Sequence, residues 1–447
     1  MASTYLTRTF SASPTSDKII TFSVWFKRSG LGEQHIFGNR ATDNYRSHLY
    51  FDSSDRFNIL GKKTDGTGND SIDITTNRRF KDTNGWYHLV VAIDTTQATT
   101  ANRVKLYVNG VLETSFAQEV NPSQNDVLQL NKDLAHEIGS YDGSNYYFNG
   151  LMSHIHFIDG TQYAASDFGE TDATTGEWKI KTSPSVTYGD NGFFILKDGN
   201  SVTDQSGNSN NFTVGGGTLT NTEDCPSNVF ATLNPLQINA GNFTIANGNT
   251  KITRSGSWRG MMSTIGVNKG KYYWECKQTG NMALGIGKFG GDVDSYTYLS
   301  DSTAWLGDKA TAWIYYNNGS SIVKYNNNTS GTYGSVPTDN DIISVAFDAD
   351  NGTIWIGKNG TWENSATEAE IEAGTTTNAM YSGITIGTDL FGAIGAVENG
   401  TLEYNFGNGY FGTSAISSAG TNASGIGIFE YNVPDGFTAL STKGLNE

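Results

Sequence analysis

Two short runs of alternating residues, each interrupted by Asn-Gly, set the strongest limit on how this chain can fold. They are RVKLYVNGVLE at 103–113 and TIWIGKNGTWE at 353–363. In the first run Val104, Leu106 and Val108 alternate with polar or amphipathic neighbours, so one face of a strand is apolar. Asn-Gly supplies the positive φ angles of a tight hairpin turn. Both runs therefore predict β-hairpins.

Composition extends the β prediction to the whole chain. Of 447 residues, 53 are Gly and only 7 are Pro, so turns are frequent and the residue that interrupts sheets is rare. Charged residues make up 17%, below the roughly 25% of typical domains. The polar surface must then come mainly from Asn, Thr, Ser and Gly, which favour strands and turns over helices. We expect an all-β protein.

Charge and cysteine content exclude several classes of partner. The formal net charge of −16 argues against nucleic acid and against an anionic membrane surface, because both attract basic patches. The N-terminal segment has no apolar core of a signal peptide, and no stretch approaches the ~18 apolar residues of a membrane span. Two cysteines, Cys225 and Cys276, are too few for a disulfide framework. We expect synthesis in a cytoplasm and no membrane insertion.

The first 170 residues resemble a known family of sandwich domains. Five motifs stand in the family's order: ITFSVWFKR, NGWYHLVVAID, RVKLYVNGV, HEIGSY and FNGLMSHIHFIDG. Their order is similar to that in concanavalin A-like domains of the laminin-G type. The resemblance implies a two-sheet antiparallel jelly roll over residues 1–170. Residues 171–235 contain one clear strand, GFFILK, and a polar Gly/Asn/Ser run, so we expect a partly ordered connector there.

Residues 236–447 resemble a second family. KYYWECK, MALGIGK, DIISVAFDADNGTIWIGKNGTW and NFGNGYF follow one another as in SPRY (B30.2-like) domains. This family is also a concanavalin A-like antiparallel sandwich. The expected architecture is therefore two such β-sandwiches joined by a connector.

The segment that joins the two regions carries the functional implication. GLMSHIHFIDGTQYAASDFGETDATTGEWKIK and the run that ends in CPSNVFATLNPL are similar to parts of large structural proteins of marine tailed phages. The resemblance implies a virion surface protein, such as a fibre, tail or capsid-decoration component. Its partners would be other virion proteins and a host-surface glycan or receptor, and self-association stays open. A purely structural decoration protein is the alternative.

Two loops combine aromatic rings with amide and carboxylate groups, which suits carbohydrate. A sugar's apolar face stacks on rings, and its hydroxyls need polar partners. The predicted ligand-binding residues of SYDGSNYYFNG (140–150) are Tyr141, Asp142, Asn145, Tyr146 and Tyr147. Those of WIYYNNGSSIVKYNNN (313–328) are Tyr315, Tyr316, Asn317 and Asn318.

Catalysis and metal binding are weaker interpretations. The carboxylates of Glu170, Asp172 and Glu177 lack the spacing that polysaccharide-degrading enzymes of this fold use, so we expect no enzyme. His154 and His156 lack further ligands nearby, and no cofactor is expected. Three acidic turns are candidate calcium sites. The alternative interpretation is that their residues only form the turns of hairpins. The three turns are DSSD at 52–55, YDGSN at 141–145 and GGDVDS at 290–295.

Overall fold

The fold was established from a computed structural model, which describes residues 3–197, 199, 201–236, 243–292, 305–317 and 322–446. The chain divides into two compact units, Met1–Asn221 and Thr222–Glu447. Nearly all of the regular secondary structure in both is β-strand, which confirms the predicted all-β fold. The predicted connector at 171–235 is divided between the units, so the observed boundary differs from the two predicted ones.

The first unit contains an eight-stranded sheet, a six-stranded sheet and one short hairpin. The eight-stranded order is β10-β6-β5-β4-β3-β11-β1-β16, the six-stranded order is β15-β12-β2-β7-β8-β9, and β13 pairs with β14. The strands are β1 (Tyr5–Thr9), β2 (Ile19–Arg28), β3 (Gln34–Thr42), β4 (Tyr45–Phe51), β5 (Arg56–Lys62), β6 (Asp70–Arg79), β7 (Tyr87–Asp94), β8 (Val104–Val108), β9 (Val111–Leu112), β10 (Phe116–Val120), β11 (Ala135–Ile138), β12 (Gly150–Asp159), β13 (Gly169–Thr171), β14 (Trp178–Ile180), β15 (Phe193–Ile195) and β16 (Thr213–Gly216). Single 3₁₀ turns lie at Thr100–Asn102, Gln129–Asn131 and Ala165–Asp167.

The two larger sheets of the first unit face each other across one core. Alternate apolar residues of each sheet point inward, as period-two patterning requires. Phe22 on β2 stacks on Phe37 on β3, with ring centroids 4.8 Å apart, so the facing sheets are in direct contact. This arrangement is the β-sandwich that the alternation predicts.

The region that follows β12 belongs to the first unit and covers the outer face of its six-stranded sheet. Phe168, Trp178 and Tyr188 pack there on Val90 and Ile158. Two later strands complete the sheets: β15 pairs with β12, and β16 pairs with β1. The first unit therefore extends well beyond residue 170, because the residues after it supply edge strands and an outer apolar layer.

The second unit contains one branched twelve-stranded sheet and a two-stranded hairpin. The main order is β17-β18-β27-β20-β21-β22-β23; β24 and β30 also pair with β20, β25 with β24, β26 with β25, β19 with β27, and β28 with β29. The elements are β17 (Thr244–Ala246), β18 (Lys251–Arg254), β19 (Arg259–Met262), β20 (Lys271–Lys288), β21 (Ala312–Asn317), β22 (Ile322–Asn326), β23 (Thr329–Thr332), β24 (Ile342–Asp348), β25 (Thr353–Lys358), β26 (Thr361–Trp362), α1 (Glu368–Glu372), β27 (Phe391–Asn405), β28 (Tyr410–Phe411), β29 (Ser414–Ala415) and β30 (Thr438–Ala439), with 3₁₀ turns at Leu306–Asp308, Glu363–Ser365 and Gly444–Asn446.

Two long strands hold the second unit together. The first half of β20 pairs with β24, its second half pairs with β21, and β27 accompanies it along nearly its whole length. The register shifts between Thr279 and Asn281, where Gly280 has φ +73°. A side chain at Gly280 would collide with the carbonyl oxygen of Asn399, so this bulge requires glycine.

Both Asn-Gly turns form the hairpins that the sequence predicts, and both use their asparagine in the same way. Asn109 and Asn359 each have φ +48°. The Asn109 N–H donates to the carbonyl oxygen of His88, and its side-chain oxygen accepts from the His88 N–H at 2.7 Å. Asn359 forms the same pair of bonds with Ile342, both at 2.9 Å. Each turn is thereby fixed to a third strand, an arrangement we term the asparagine clamp.

Candidate functional site

The first predicted loop lies on the outer face of the eight-stranded sheet. It connects β11 to β12, and two backbone bonds close it: Phe148 N–H to Gly139 O at 2.9 Å and Tyr141 N–H to Asn145 O at 3.0 Å. The loop is joined to β3 by the His35 N–H, which donates to the Tyr146 carbonyl oxygen at 2.9 Å. The loop is therefore fixed above β3 and β4.

Five rings meet beneath and within this loop. His35 lies at their centre, with its ring centroid 4.8 Å from those of both Tyr50 and His48, 4.9 Å from that of Tyr141 and 5.8 Å from that of Tyr146. The two histidines are buried, whereas Tyr146 is 48% exposed. We call these five residues the histidine–tyrosine cluster. It presents one exposed ring supported by buried rings.

Two arginines border the cluster. Arg46 donates to the Tyr141 hydroxyl at 2.8 Å and to Asp43 at 3.2 Å. The Arg40 guanidinium lies 5.3 Å from the centroid of the Tyr141 ring, within cation–π range, and 3.8 Å from the Asp142 carboxylate. The edge of the cluster therefore offers both hydrogen-bond donors and acceptors to solvent.

The histidines of the cluster are neutral. Burial lowers the pKa of His35 to about 3, against a smaller opposing effect of Asp142. Burial also lowers the pKa of His48 well below its ordinary value, and its electrostatic interactions with His35, Arg46 and Arg40 lower it further. Protonation would place a cation in an apolar site beside two arginines, so both rings stay uncharged at neutral pH.

The structure gives the five predicted residues of this loop different roles. Tyr141 and Tyr146 belong to the cluster. The Tyr147 hydroxyl donates to the Gly143 carbonyl oxygen at 2.7 Å, inside the loop. Asp142 accepts from the side-chain amide of Asn145 at 3.2 Å, so these two residues shape the turn.

The predicted ligand-binding role is wrong for two residues of the second loop. Tyr315 is fully buried in the core, where its hydroxyl donates to the Ser335 carbonyl oxygen at 3.0 Å. Asn317 is buried and its amide donates to the Pro337 carbonyl oxygen. Both lie on β21, whose alternation directs them inward, whereas Tyr316 faces outward against Trp305. Asn318 lies outside the described residues.

Sequence reasoning missed three members of the cluster, namely His35, His48 and Tyr50. They lie on paired strands, with His35 opposite Tyr50 across the β3–β4 ladder. These residues are spaced almost symmetrically about the polar turn at 42–45, and a hairpin at that turn brings such residues together. This spacing was the available signal. Without the position of the 140–148 loop, that spacing did not indicate a site.

A serine and a histidine do meet in the first unit, but their protons are placed wrongly for nucleophilic catalysis. The indole N–H of Trp178 donates to His88 Nδ1 at 3.0 Å, so the imidazole proton resides on Nε2. That nitrogen lies 2.8 Å from Ser23 Oγ and donates to it. His88 therefore cannot accept the serine proton, and burial lowers its pKa to about 3.

The acidic turns form ion pairs or turn contacts. Asp52 accepts from Arg56 at 3.1 Å, and Asp55 accepts from Arg28 at 3.1 Å. Of the predicted turn at 290–295, residues 293–295 lie outside the described part. Within that part, no three His, Cys, Asp or Glu residues form a group that could hold a metal ion. There is also no helix among the described residues that is long and apolar enough to cross a membrane.

The domains of this chain fit a lectin-like binding module. Residues 3–165 match the concanavalin A-like lectin/glucanases superfamily in its laminin-G form, and residues 271–409 match the SPRY domain. The chain thus carries a concanavalin A-like domain followed by a SPRY domain, which confirms both predicted families. The virion setting stays a prediction.

Two solved structures show similarity to part of the chain. One is the TRIM65 PSpry domain, with 12% identity over 39% of this chain and 91% of that one, at a TM-score of 0.29. The other is stonustoxin, with 13% identity over 39% of this chain and 28% of that one, at a TM-score of 0.30.

Proposed function

We propose that this protein is a non-enzymatic surface component of a tailed-phage virion, and that its first unit binds host-surface glycans at the histidine–tyrosine cluster. Tyr146 carries the proposal. The residue is 48% exposed although its backbone has φ +51°, a conformation that a bulky residue adopts at a cost. Such local strain is concentrated at ligand-binding positions.

The chemistry of the cluster suits an uncharged sugar. The exposed Tyr146 ring offers a stacking surface for the apolar face of a pyranose, and the buried neutral histidines beneath it add no charge. Arg40 at the rim can donate to sugar hydroxyls, and Asp142 can accept from them. The superfamily that the first domain matches includes both lectins and glucanases, which supports a carbohydrate ligand.

Two features favour binding over catalysis. The Ser23–His88 pair has its proton on the wrong atom for nucleophilic attack. Glu170 and Asp172, the carboxylates of the alternative hydrolase interpretation, both form ion pairs with Lys179, at 3.4 Å and 3.2 Å. The virion setting is supported by the sequence at the junction of the two domains, and exposure on the particle follows from it.

A glycan array with the purified full chain tests the proposal. Tyr146→Ala removes the stacking ring, so we expect binding to fall at least tenfold; Tyr146→Phe keeps the ring and should retain most of it. Tyr45→Ala is the matched control, because Tyr45 is 38% exposed and lies outside the cluster. Binding by Tyr146→Ala at the wild-type level would refute the assigned site.

The competing functions give different results. A decoration protein would bind capsid or tail protein and no glycan, and density for this chain would lie on the particle surface. A depolymerase would shorten host polysaccharide and release reducing ends. Glycan binding without any release of reducing ends supports the proposed adhesin.

A further inference from the structure

A cleft in the second unit has the composition of a cation-binding site. It encloses about 190 Å³ between the β25–β26 hairpin, α1 and the segment at 430–432. Three aromatic side chains, Tyr273, Trp362 and Tyr431, and two carboxylates, Glu368 and Glu430, contribute to its lining. We call this feature the acidic cleft.

The carboxylates of the cleft have no cationic partner of their own. Among the residues that the structure describes, neither Glu368 nor Glu430 forms an ion pair, and none of the lining residues is Lys, Arg or His. Burial raises the pKa of Glu368, and the nearby carboxylates of Glu372 and Asp435 raise it further. The effect of these neighbouring carboxylates shows that like charges surround Glu368.

The walls of the cleft are held in place by hydrogen bonds. Thr367 and Glu370 form a capping box, with the Thr367 N–H donating to Glu370 at 2.8 Å, and this fixes the first turn of α1 beside the cleft. On the opposite wall, the buried carboxylate of Glu275 accepts from the backbone N–H groups of Glu430 and Tyr431, both at 2.9 Å. The site is therefore preorganised rather than a loose surface depression.

The second Asn-Gly turn makes room for an aromatic wall. A Cβ atom at Gly360 would lie 2.7 Å from Cδ1 of Tyr431, so the tyrosine ring packs directly against the turn backbone. At the floor, the Tyr273 hydroxyl lies 2.9 Å from Ser344 Oγ, and both residues line the cleft. A planar cation could thus meet an aromatic face and hydroxyl oxygens as well as carboxylates.

We propose that the acidic cleft binds the guanidinium group of an arginine side chain presented by a partner protein. Arginine is preferred to lysine because its flat, delocalised cation stacks on rings and donates in a fork to carboxylates. The cleft volume is of the size of one long side chain, too small for a folded element. This site is independent of the glycan site in the first unit.

Calorimetric titration of the full chain with short peptides tests this proposal. The probe is an acetylated, amidated glycine-flanked arginine peptide, and its matched control contains citrulline, which has nearly the same shape without the charge. We expect saturable binding of the arginine peptide, weaker binding of a lysine peptide and none of the citrulline peptide. Glu368→Gln and Glu430→Gln should each weaken the arginine peptide about tenfold or more.

Glu177→Gln serves as the protein control, because it removes the same charge from an exposed position of the first unit. Circular dichroism checks that each variant is folded. Equal affinity for arginine and citrulline peptides would overturn the proposal, as would unchanged binding in both cleft variants. Loss of glycan binding in the Tyr146 variant, with arginine binding intact, would show that the two sites are separate.

Discussion

The buried carboxylate of Glu275 should make the second unit less stable as the pH rises through neutrality. Glu275 is fully buried on β20 and accepts from Tyr273, Asn405 and two backbone N–H groups. Burial is nevertheless the largest influence and raises its pKa to about 7, whereas the hydrogen bonds lower it. Glu275→Gln replaces the acid with a neutral group of the same shape.

The direction of this pH dependence follows from which state, folded or unfolded, holds the proton of Glu275. The unfolded chain loses it near pH 4.5, and the folded chain keeps it to about pH 7. Between these values the folded state binds more protons, so its stability falls as the pH rises and then levels off. This rise in the pKa of Glu275 corresponds to a loss of about 3 kcal/mol in the free energy of unfolding, at 1.36 kcal/mol per pKa unit. The glutamine variant lacks this dependence.

Urea unfolding of both proteins from pH 4 to pH 8 measures the effect. The free energy of unfolding of the wild type, relative to Glu275→Gln, should decrease by about 3 kcal/mol across this range. Glu177→Gln controls for the loss of a carboxylate elsewhere. A difference between wild type and Glu275→Gln that stays constant with pH would refute the reasoning, because ionisation of Glu275 would then cost nothing in the folded state.

Three further predictions concern the first unit. Tyr146→Gly should abolish glycan binding yet leave stability unchanged or raised by about 1 kcal/mol, because glycine adopts positive φ without strain; thermal unfolding and the glycan array measure the two effects. Asp55→Asn should lower the stability of the first unit by about 3–5 kcal/mol, because Arg28 would stay buried without its counter-charge. The exposed Glu170→Gln should lower it by less than about 1 kcal/mol. Hydrogen exchange of first-unit peptides measures both losses, and equal losses would contradict the argument. Glycan affinity should stay constant from pH 5 to pH 8, since the pKa of His35 is about 3; a titration step near pH 6.5 would exclude a neutral platform.

Much of the fold was accessible from the sequence because its determinants are local. Period-two alternation and the two Asn-Gly turns specify hairpins without reference to distant residues. The unit boundary was not accessible in this way. Whether Phe193–Ile195 and Thr213–Gly216 join a sheet depends on pairing with β12 and β1, which are distant in sequence.

The candidate site was only partly predictable for the same reason. Composition identified the exposed Tyr146, but the histidines beneath it are brought there by the β3–β4 register and by the path of the loop. Alternation also shows that only one of Tyr315 and Tyr316 can face the core. Which one does so is fixed by β20, where Leu284 pairs with Tyr315 on the core side.

The asparagine clamps have a consequence for the chemical ageing of the protein. Asn-Gly is the dipeptide in which the amide is lost most readily, since glycine leaves the backbone nitrogen free to attack the side chain. At Asn109 and Asn359 the side-chain oxygen and the backbone N–H are both engaged with a third strand. This engagement restricts the rotation of the side chain that deamidation requires, so intact hairpins should deamidate slowly. Isoaspartate formed at either turn would lengthen the backbone and break the clamp, which makes these two positions natural markers of damage in stored protein.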